Sequence, residues 1–109
     1  MVPWAYSLSK SAETSAQWLK SHGLPELEDV LEAQLGTAPL QPERKRLQER
    51  PDGTWVLAYR TWRFVLEIDE DRHHSTVLEI YSAYSPLELQ DPQDPYSDKD
   101  LHRAFCART

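Results

Sequence analysis

The sequence contains little cysteine, no long apolar run and none of the common cofactor motifs. Cys106 is the single cysteine, which excludes an intramolecular disulfide and a cysteine-rich zinc site. No stretch of about 18 apolar residues occurs, so we expect no transmembrane helix. The opening MVPWAYSLSK lacks the basic start and apolar centre of a secretory signal. These absences predict a cytoplasmic protein that uses no cofactor and no metal, and that has no membrane partner.

Basic residues are also scarce. The chain has 12 Lys and Arg against 18 Asp and Glu, a formal net charge of −6. Such a chain should bind nucleic acid weakly in a non-specific way, because phosphate contacts need Lys and Arg. Any RNA contact would therefore depend on the one dense basic segment, ERKRLQER, which can equally be a solvated connector paired with its own glutamates. Its basic residues are Arg44, Lys45, Arg46 and Arg50.

The hydrophobic pattern predicts the order β-α-α-β-β-β. An alternating strand at the N-terminus is followed by two helical segments, SKSAETSAQWLKSHG and LPELEDVLEAQLG, which end at Gly23 and Gly36. TWVLAYR, TWRFVLEID and TVLEIYSAY then alternate as three strands joined by short turns. We therefore expect an α+β fold: a small antiparallel sheet with two N-terminal helices packed on one face.

A change of composition divides the chain near residue 85. Residues 1–85 form the predicted domain, and residues 86–109 form a variable, acidic, proline-rich tail. The tail begins with SPLELQDPQDPYSDKD, whose prolines and acids predict an extended, weakly ordered segment. DKDLHRAFCA, which overlaps its end, can form a short helix with Leu101 and Phe105 on one face.

An arginine interrupts the most apolar predicted strand. Alternation places Trp62 and Phe64 on one face and Arg63 on the other. Arg63 could hold a negatively charged ligand on that face. It could equally pair across strands with Glu67 or Glu79, which needs no function.

The order of elements and several residues resemble the RelE/ParE superfamily of bacterial toxins over roughly residues 4 to 84. LSKSAE is similar to the entry into the family's first helix, and Leu35, Pro39 and Leu47 fit the spacing before its central hairpin. DGTWVLAYRTWRFVLEIDED is similar to that hairpin, whose second strand carries an aromatic-Arg-apolar core. The segment 62–65, WRFV, reproduces this core.

The resemblance implies a RelE-like toxin of a toxin–antitoxin system, a ribosome-dependent mRNA endoribonuclease that represses translation. In that branch the 2′-hydroxyl attacks the adjacent phosphate without a metal. The implied catalytic residues are Arg63, Tyr84 and Arg60, and the basic segment with Arg50 would bind RNA. The implied partners are a cognate antitoxin, the ribosome and mRNA, and a homodimer is left open.

Departures from the family's pattern keep two alternatives open. Val56, Leu57 and Ala58 stand where active members usually carry basic residues, and the last predicted strand ends without a basic residue or histidine. A ParE-like toxin that acts on DNA gyrase by protein contact does not need these residues. The second alternative is an inactive α+β interaction module that binds through its tail.

The remaining reactive side chains have simpler interpretations. His73 and His74 are adjacent in an acidic turn, and neighbouring side chains there seldom bind one metal together. His102 could act as a general base only if the tail folds over the sheet. Cys106 has no base at useful spacing and is not expected to be a nucleophile.

Overall fold

The computed structural model describes residues 4–36 and 47–108, and within them the chain forms a five-stranded sheet. The strands are β1 (Ala5–Leu8), β2 (Leu47–Glu49), β3 (Trp55–Tyr59), β4 (Trp62–Asp69) and β5 (His74–Ser82), in the spatial order β1-β5-β4-β3-β2. The predicted α+β class is confirmed. The sheet is mixed rather than wholly antiparallel, because β1 pairs parallel to β5 while all other pairs are antiparallel.

The parallel pairing follows from the connection after β1. A parallel strand pair needs a long crossover rather than a hairpin. Here the chain leaves β1 through α1 (Lys10–His22) and α2 (Leu27–Leu35) before the meander returns to β1. Ser9 caps α1 by accepting the Ala12 N–H at 3.1 Å. Gly23 ends α1 with a φ of 151°, a backbone conformation that residues with a side chain rarely adopt.

The sequence prediction missed β2. Leu47, Gln48 and Glu49 pair antiparallel with the first half of β3, in a region where the prolines and charges predicted only a connector. Three residues are too few to show alternation, so the local pattern carried no strand signal. Arg44, Lys45, Arg46 and Pro39 lie outside the described residues.

The core lies between one face of the sheet and the helices. Trp62, Phe64 and Leu66 of β4 are almost fully buried there. Apolar residues from both N-terminal helices cover them, so the two predicted helices do pack on one face of the sheet. The buried helix residues include Ala12, Ala16, Leu19, Leu27, Leu31 and Leu35. None of the helices in the described part of the chain is long and apolar enough to cross a membrane.

Two parts of the tail are helical. They are α3 (Pro86–Gln90), which lies in the segment predicted to be extended, and α4 (Lys99–Ala107), which lies where a short helix was predicted. Phe105 of α4 belongs to the core and meets Trp18 and Trp62 edge-on, with ring centroids 5.7 and 5.1 Å away. The packing of α4 was not predicted, because it depends on these distant aromatic residues rather than on the composition of the tail.

Candidate functional site

A cleft of about 690 Å³ opens at the end of the sheet where the β3–β4 turn, the end of β5 and α4 meet. Arg60, Arg63 and Tyr84, the three residues that the sequence singled out as catalytic, all line it. They come from different parts of the chain. Arg60 lies in the β3–β4 turn, Arg63 in β4, and Tyr84 just after β5.

Arg63 is anchored by the backbone of the turn that precedes it. Its Nη1 atom donates to the carbonyl oxygens of Arg60 and Trp62, at 2.9 and 2.8 Å. Within residues 4–36 and 47–108, it forms no ion pair with Glu67 or Glu79. A guanidinium has five N–H donors, so the Nε and Nη2 hydrogens remain for a ligand.

Arg60 is exposed at the turn and has an unusual backbone conformation. Its φ is 52°, in the left-handed region that favours glycine. Its guanidinium carbon lies 5.3 Å from the centroid of the Tyr59 ring, a cation–π distance. We call Arg60 and Arg63 the arginine pair; together they supply the positive charge of the cleft.

Of the four predicted RNA-binding residues, the structure describes Arg50 alone. Arg50 is exposed at the β2–β3 turn, where its backbone exchanges hydrogen bonds with Thr54 and Gly53, and it does not line the cleft. Arg44, Lys45 and Arg46 lie outside the described residues. Whether these four residues bind RNA therefore stays a prediction.

A chain of hydrogen bonds forms the other side of the cleft. The Tyr84 hydroxyl donates to Asp98 Oδ1 at 2.9 Å, and Thr61 Oγ1 donates to Asp98 Oδ2 at 2.5 Å. Thr61 Oγ1 also lies 2.8 Å from His102 Nε2, and Ser82 Oγ lies 2.5 Å from His102 Nδ1. We call these five residues the polar network.

The network has one consistent direction of donation. Thr61 donates its only proton to Asp98, so it must accept from His102, which places the imidazole proton on Nε2. In a neutral imidazole, Nδ1 then accepts from the Ser82 hydroxyl, whose oxygen accepts the Tyr84 backbone N–H at 3.1 Å. The chain of hydrogen bonds ends on the Asp98 carboxylate, whose Oδ2 atom also lies 3.4 Å from His102 Nε2. This is the hydrogen-bond pattern of a neutral histidine.

Electrostatics support the same protonation states. Burial lowers the pKa of His102 despite the opposing charge of Asp98. Burial would raise the pKa of Asp98, but the hydrogen bonds from Thr61 and Tyr84 lower it overall. Burial and the Asp98 carboxylate raise the pKa of Tyr84 to about 12. At neutral pH, Asp98 is therefore charged, His102 is neutral and Tyr84 keeps its proton.

His102 is part of the framework rather than a group that can reach a substrate. The tail does fold over the sheet, which was the condition for His102 to act as a general base. However, the side chain is 0% exposed and its ring stacks on Trp62, with centroids 3.8 Å apart. Asp98 and His102 are spaced i, i+4 on α4, which was the only sequence signal for this pairing.

The charge of the cleft is mixed. Glu26, Glu88 and Asp98 line it together with the arginine pair. One carboxylate oxygen of Glu88 already has a hydrogen-bond partner, because Oε1 accepts the Ser85 N–H at 2.9 Å. This bond completes a capping box at the start of α3. The cleft is therefore not a simple anion-binding surface.

The two adjacent histidines have separate local contacts. His73 stacks on Trp4 with centroids 5.1 Å apart, and His74 Nε2 lies 2.8 Å from Ser7 Oγ. In the part of the chain that the structure describes, no three His, Cys, Asp or Glu side chains are arranged to hold a metal ion.

Comparisons with known proteins give structural matches only. No family model matches the sequence, and no curated protein matches it significantly. A chain of the toxin–antitoxin complex RelBE2 from Mycobacterium tuberculosis matches with a TM-score of 0.62 at 20% identity, over 77% of this chain and 97% of that one. A metal-bound toxin from Helicobacter pylori matches with a TM-score of 0.52 at 16% identity, over 72% and 93%. The chain therefore shares its α+β fold with these two solved structures.

Proposed function

We propose that this protein is the toxin of a toxin–antitoxin pair, a ribosome-dependent endoribonuclease that cleaves mRNA and is silenced by a cognate antitoxin protein. The observation that carries the proposal is the convergence of Arg60, Arg63 and Tyr84 on one cleft. Tyr84 follows β5, far in sequence from the arginine pair at the β3–β4 turn, and this fold, shared with toxin structures, brings it beside them.

The chemistry assigned to the cleft is attack of a 2′-hydroxyl on the adjacent phosphate. The 2′-oxygen bonds to phosphorus to give a 2′,3′-cyclic phosphate, the bond from phosphorus to the 5′-oxygen of the next nucleotide breaks, and water takes the 2′-proton and protonates the leaving 5′-oxygen. Negative charge on the phosphorus oxygens increases in the transition state, and the arginine pair would stabilise it. Arg63 suits this role because its backbone hydrogen bonds hold the guanidinium while leaving Nε and Nη2 free for phosphate oxygens. Tyr84 would assist the transfer of the 2′-proton to water without taking that proton itself.

The ribosome is part of the proposal because the chain itself attracts RNA weakly. Its formal charge is −6, and the cleft contains three carboxylates. A message already held by the ribosome does not need to be captured by long-range charge. Arg44, Lys45, Arg46 and Arg50 are proposed to contact the message or ribosomal RNA.

The carboxylates support a second candidate, a ParE-like toxin that inhibits DNA gyrase by protein contact. Glu26, Glu88 and Asp98 beside the arginine pair make a surface of mixed sign. Such a surface is better suited to a protein partner than to a polyanion.

Controlled expression in bacteria tests both candidates. The wild type, Arg63→Ala and Arg72→Ala would be induced separately, and growth and the integrity of translated messages followed. Arg72 is a matched control because it is also an arginine close to β4, but its side chain is exposed in the β4–β5 loop, away from the cleft.

Each result has a distinct meaning. Growth arrest with cuts in translated messages, reduced on the order of 100-fold or more by Arg63→Ala alone, supports the nuclease. Arrest with intact messages supports the gyrase candidate. If the wild type neither arrests growth nor cuts messages, both toxin candidates are wrong and the protein is an inactive interaction module.

A further inference from the structure

Asp98 occupies the N-cap position of α4 but does not cap the helix. An aspartate at this position usually accepts a backbone N–H from the first turn. The Asp98 side chain makes no such bond. Instead, the Asp94 carboxylate accepts the backbone N–H groups of Asp98 and Lys99, at 3.1 and 3.3 Å. The Asp98 carboxylate is thus released from the helix and directed to the sheet.

Both oxygens of Asp98 are used there, one for each of two hydroxyl groups. Oδ1 accepts from Tyr84 and Oδ2 from Thr61. Thr61 is fixed in turn by the buried His102 ring, which is stacked on Trp62. Asp98 therefore restrains two side chains that line the cleft. Thr61 is also held by His102, whereas the Tyr84 hydroxyl is held by the Asp98 carboxylate.

The direction of donation determines what Tyr84 presents to the cleft. Its one proton points to Asp98, so its oxygen lone pairs remain for another donor. A hydroxyl that donates to a carboxylate becomes a better acceptor, because hydrogen bonds in a chain polarise one another. The hydroxyl of a ribose is a donor of this kind.

We propose that Asp98 is a positioning residue of the cleft: it turns the Tyr84 hydroxyl so that the phenol oxygen accepts from, and orients, the 2′-hydroxyl of the RNA substrate. This inference rests on the proposed nuclease function. It makes α4 part of the functional site, although the sequence alone placed this helix in a variable tail.

The phenol itself remains protonated in this role. With a pKa of about 12, Tyr84 is not a tyrosinate at neutral pH and orients the nucleophile without removing its proton. Replacing Asp98 by asparagine removes the carboxylate charge that contributes to this pKa. The phenol pKa of Tyr84 should therefore fall toward the ordinary value in Asp98→Asn.

The test measures cleavage of a ribosome-bound message by the wild type, Asp98→Asn, Tyr84→Phe, the double variant and Asp100→Asn. Asp100 is the matched control because it lies in the first turn of the same helix, is exposed, and forms an ion pair with Arg103 at 2.9 Å rather than with a residue of the cleft. The phenol pKa of Tyr84 is followed by NMR of ¹³C-labelled tyrosine, and urea unfolding confirms that each variant is folded.

We expect Asp98→Asn to lower kcat roughly tenfold to 100-fold with little change in KM, because orientation is lost while phosphate binding is not. Asp100→Asn should match the wild type. Asp98→Asn should cause no further loss in the Tyr84→Phe background, since Asp98 acts through Tyr84.

Two results would overturn the inference while leaving the nuclease proposal intact: full activity of a folded Asp98→Asn, or an equal loss from Asp98→Asn with and without the Tyr84 hydroxyl. Absence of cleavage by the wild type is a different failure. It removes the proposed function, and the positioning role falls with it.

Discussion

The two sides of the cleft are built in different ways. On one side, the polar network fixes each functional atom by side-chain hydrogen bonds that lead back to a buried ring. On the other side, Arg63 is held by two backbone carbonyls and Arg60 extends from an exposed turn. The network side thus depends on tertiary packing, whereas the arginine side depends on the conformation of one short turn.

This difference determines how each side responds to mutation. Side chains in a buried network leave unsatisfied partners when one is removed, so their loss lowers the free energy of unfolding. Exposed arginines carry little stability, and their loss should affect function more than folding. Stability measurements can therefore separate the two sides without an activity assay.

The largest expected effect is the loss of the surface on which the network rests. Trp62→Ala removes a ring that stacks on His102 and meets Phe105 edge-on, and it leaves a cavity in the core. We expect the free energy of unfolding to fall by about 3–5 kcal/mol. Urea unfolding measures it, with Tyr96→Ala as control, because Tyr96 also lines the cleft but is 71% exposed. A similar loss in both variants would contradict a network built on Trp62.

The polar network could not have been predicted from the sequence. Thr61 and Asp98 are 37 positions apart, and Ser82 and His102 are 20 apart, so no local pattern joins them. By contrast, the three strands of the meander and both N-terminal helices follow from alternation and from apolar stripes, which are local signals. Arg63 was identified because it interrupts the most apolar predicted strand, between Trp62 and Phe64.

The packing of the tail also could not be predicted from local sequence. Its prolines and acids predicted an extended, weakly ordered segment and gave no sign that Phe105 would join the core. Local composition reports what a segment can do alone, whereas packing against Trp18 and Trp62 depends on residues that are far away in sequence. Tyr84 was noted for its position after the last strand, but the carboxylate that orients it was missed.

The next largest effect concerns His102 and pH. His102→Phe keeps a flat ring on Trp62 but leaves the Thr61 oxygen without the donor on Nε2 and the Ser82 proton without the acceptor on Nδ1. The free energy of unfolding should therefore fall by about 1–3 kcal/mol. His22→Phe is the matched control, because His22 also stacks on a tryptophan, with centroids 4.0 Å apart, but is exposed.

The stabilities of His102→Phe and His22→Phe should also respond differently to acid. Burial lowers the pKa of His102 in the folded state below its ordinary value of 6.5. As the pH falls below about 6.5, the unfolded chain takes up a proton that the folded chain refuses, so this histidine makes the folded state progressively less stable. The fall ends once the pH has passed below the lowered pKa. Urea unfolding at pH 7.5 and pH 5.5 should show a smaller difference for His102→Phe than for His22→Phe, and equal differences would contradict a buried neutral imidazole.

The smallest expected effect is on the arginine side of the cleft, where one substitution should leave the protein more stable than another at the same position. Arg60 has a φ of 52°, which costs a residue with a Cβ roughly 1 kcal/mol and costs glycine almost nothing. Arg60→Gly should therefore be more stable than Arg60→Ala by up to about 1 kcal/mol, although both lose the same guanidinium and its contact with the Tyr59 ring. Both variants should cleave less than the wild type if the guanidinium acts on the substrate.

Urea unfolding and message cleavage measure stability and activity of the same two variants side by side. If Arg60→Gly proved the less stable of the two, the turn would not carry this strain. If instead it is more stable and less active, the turn keeps a conformational cost in order to place an arginine at the cleft.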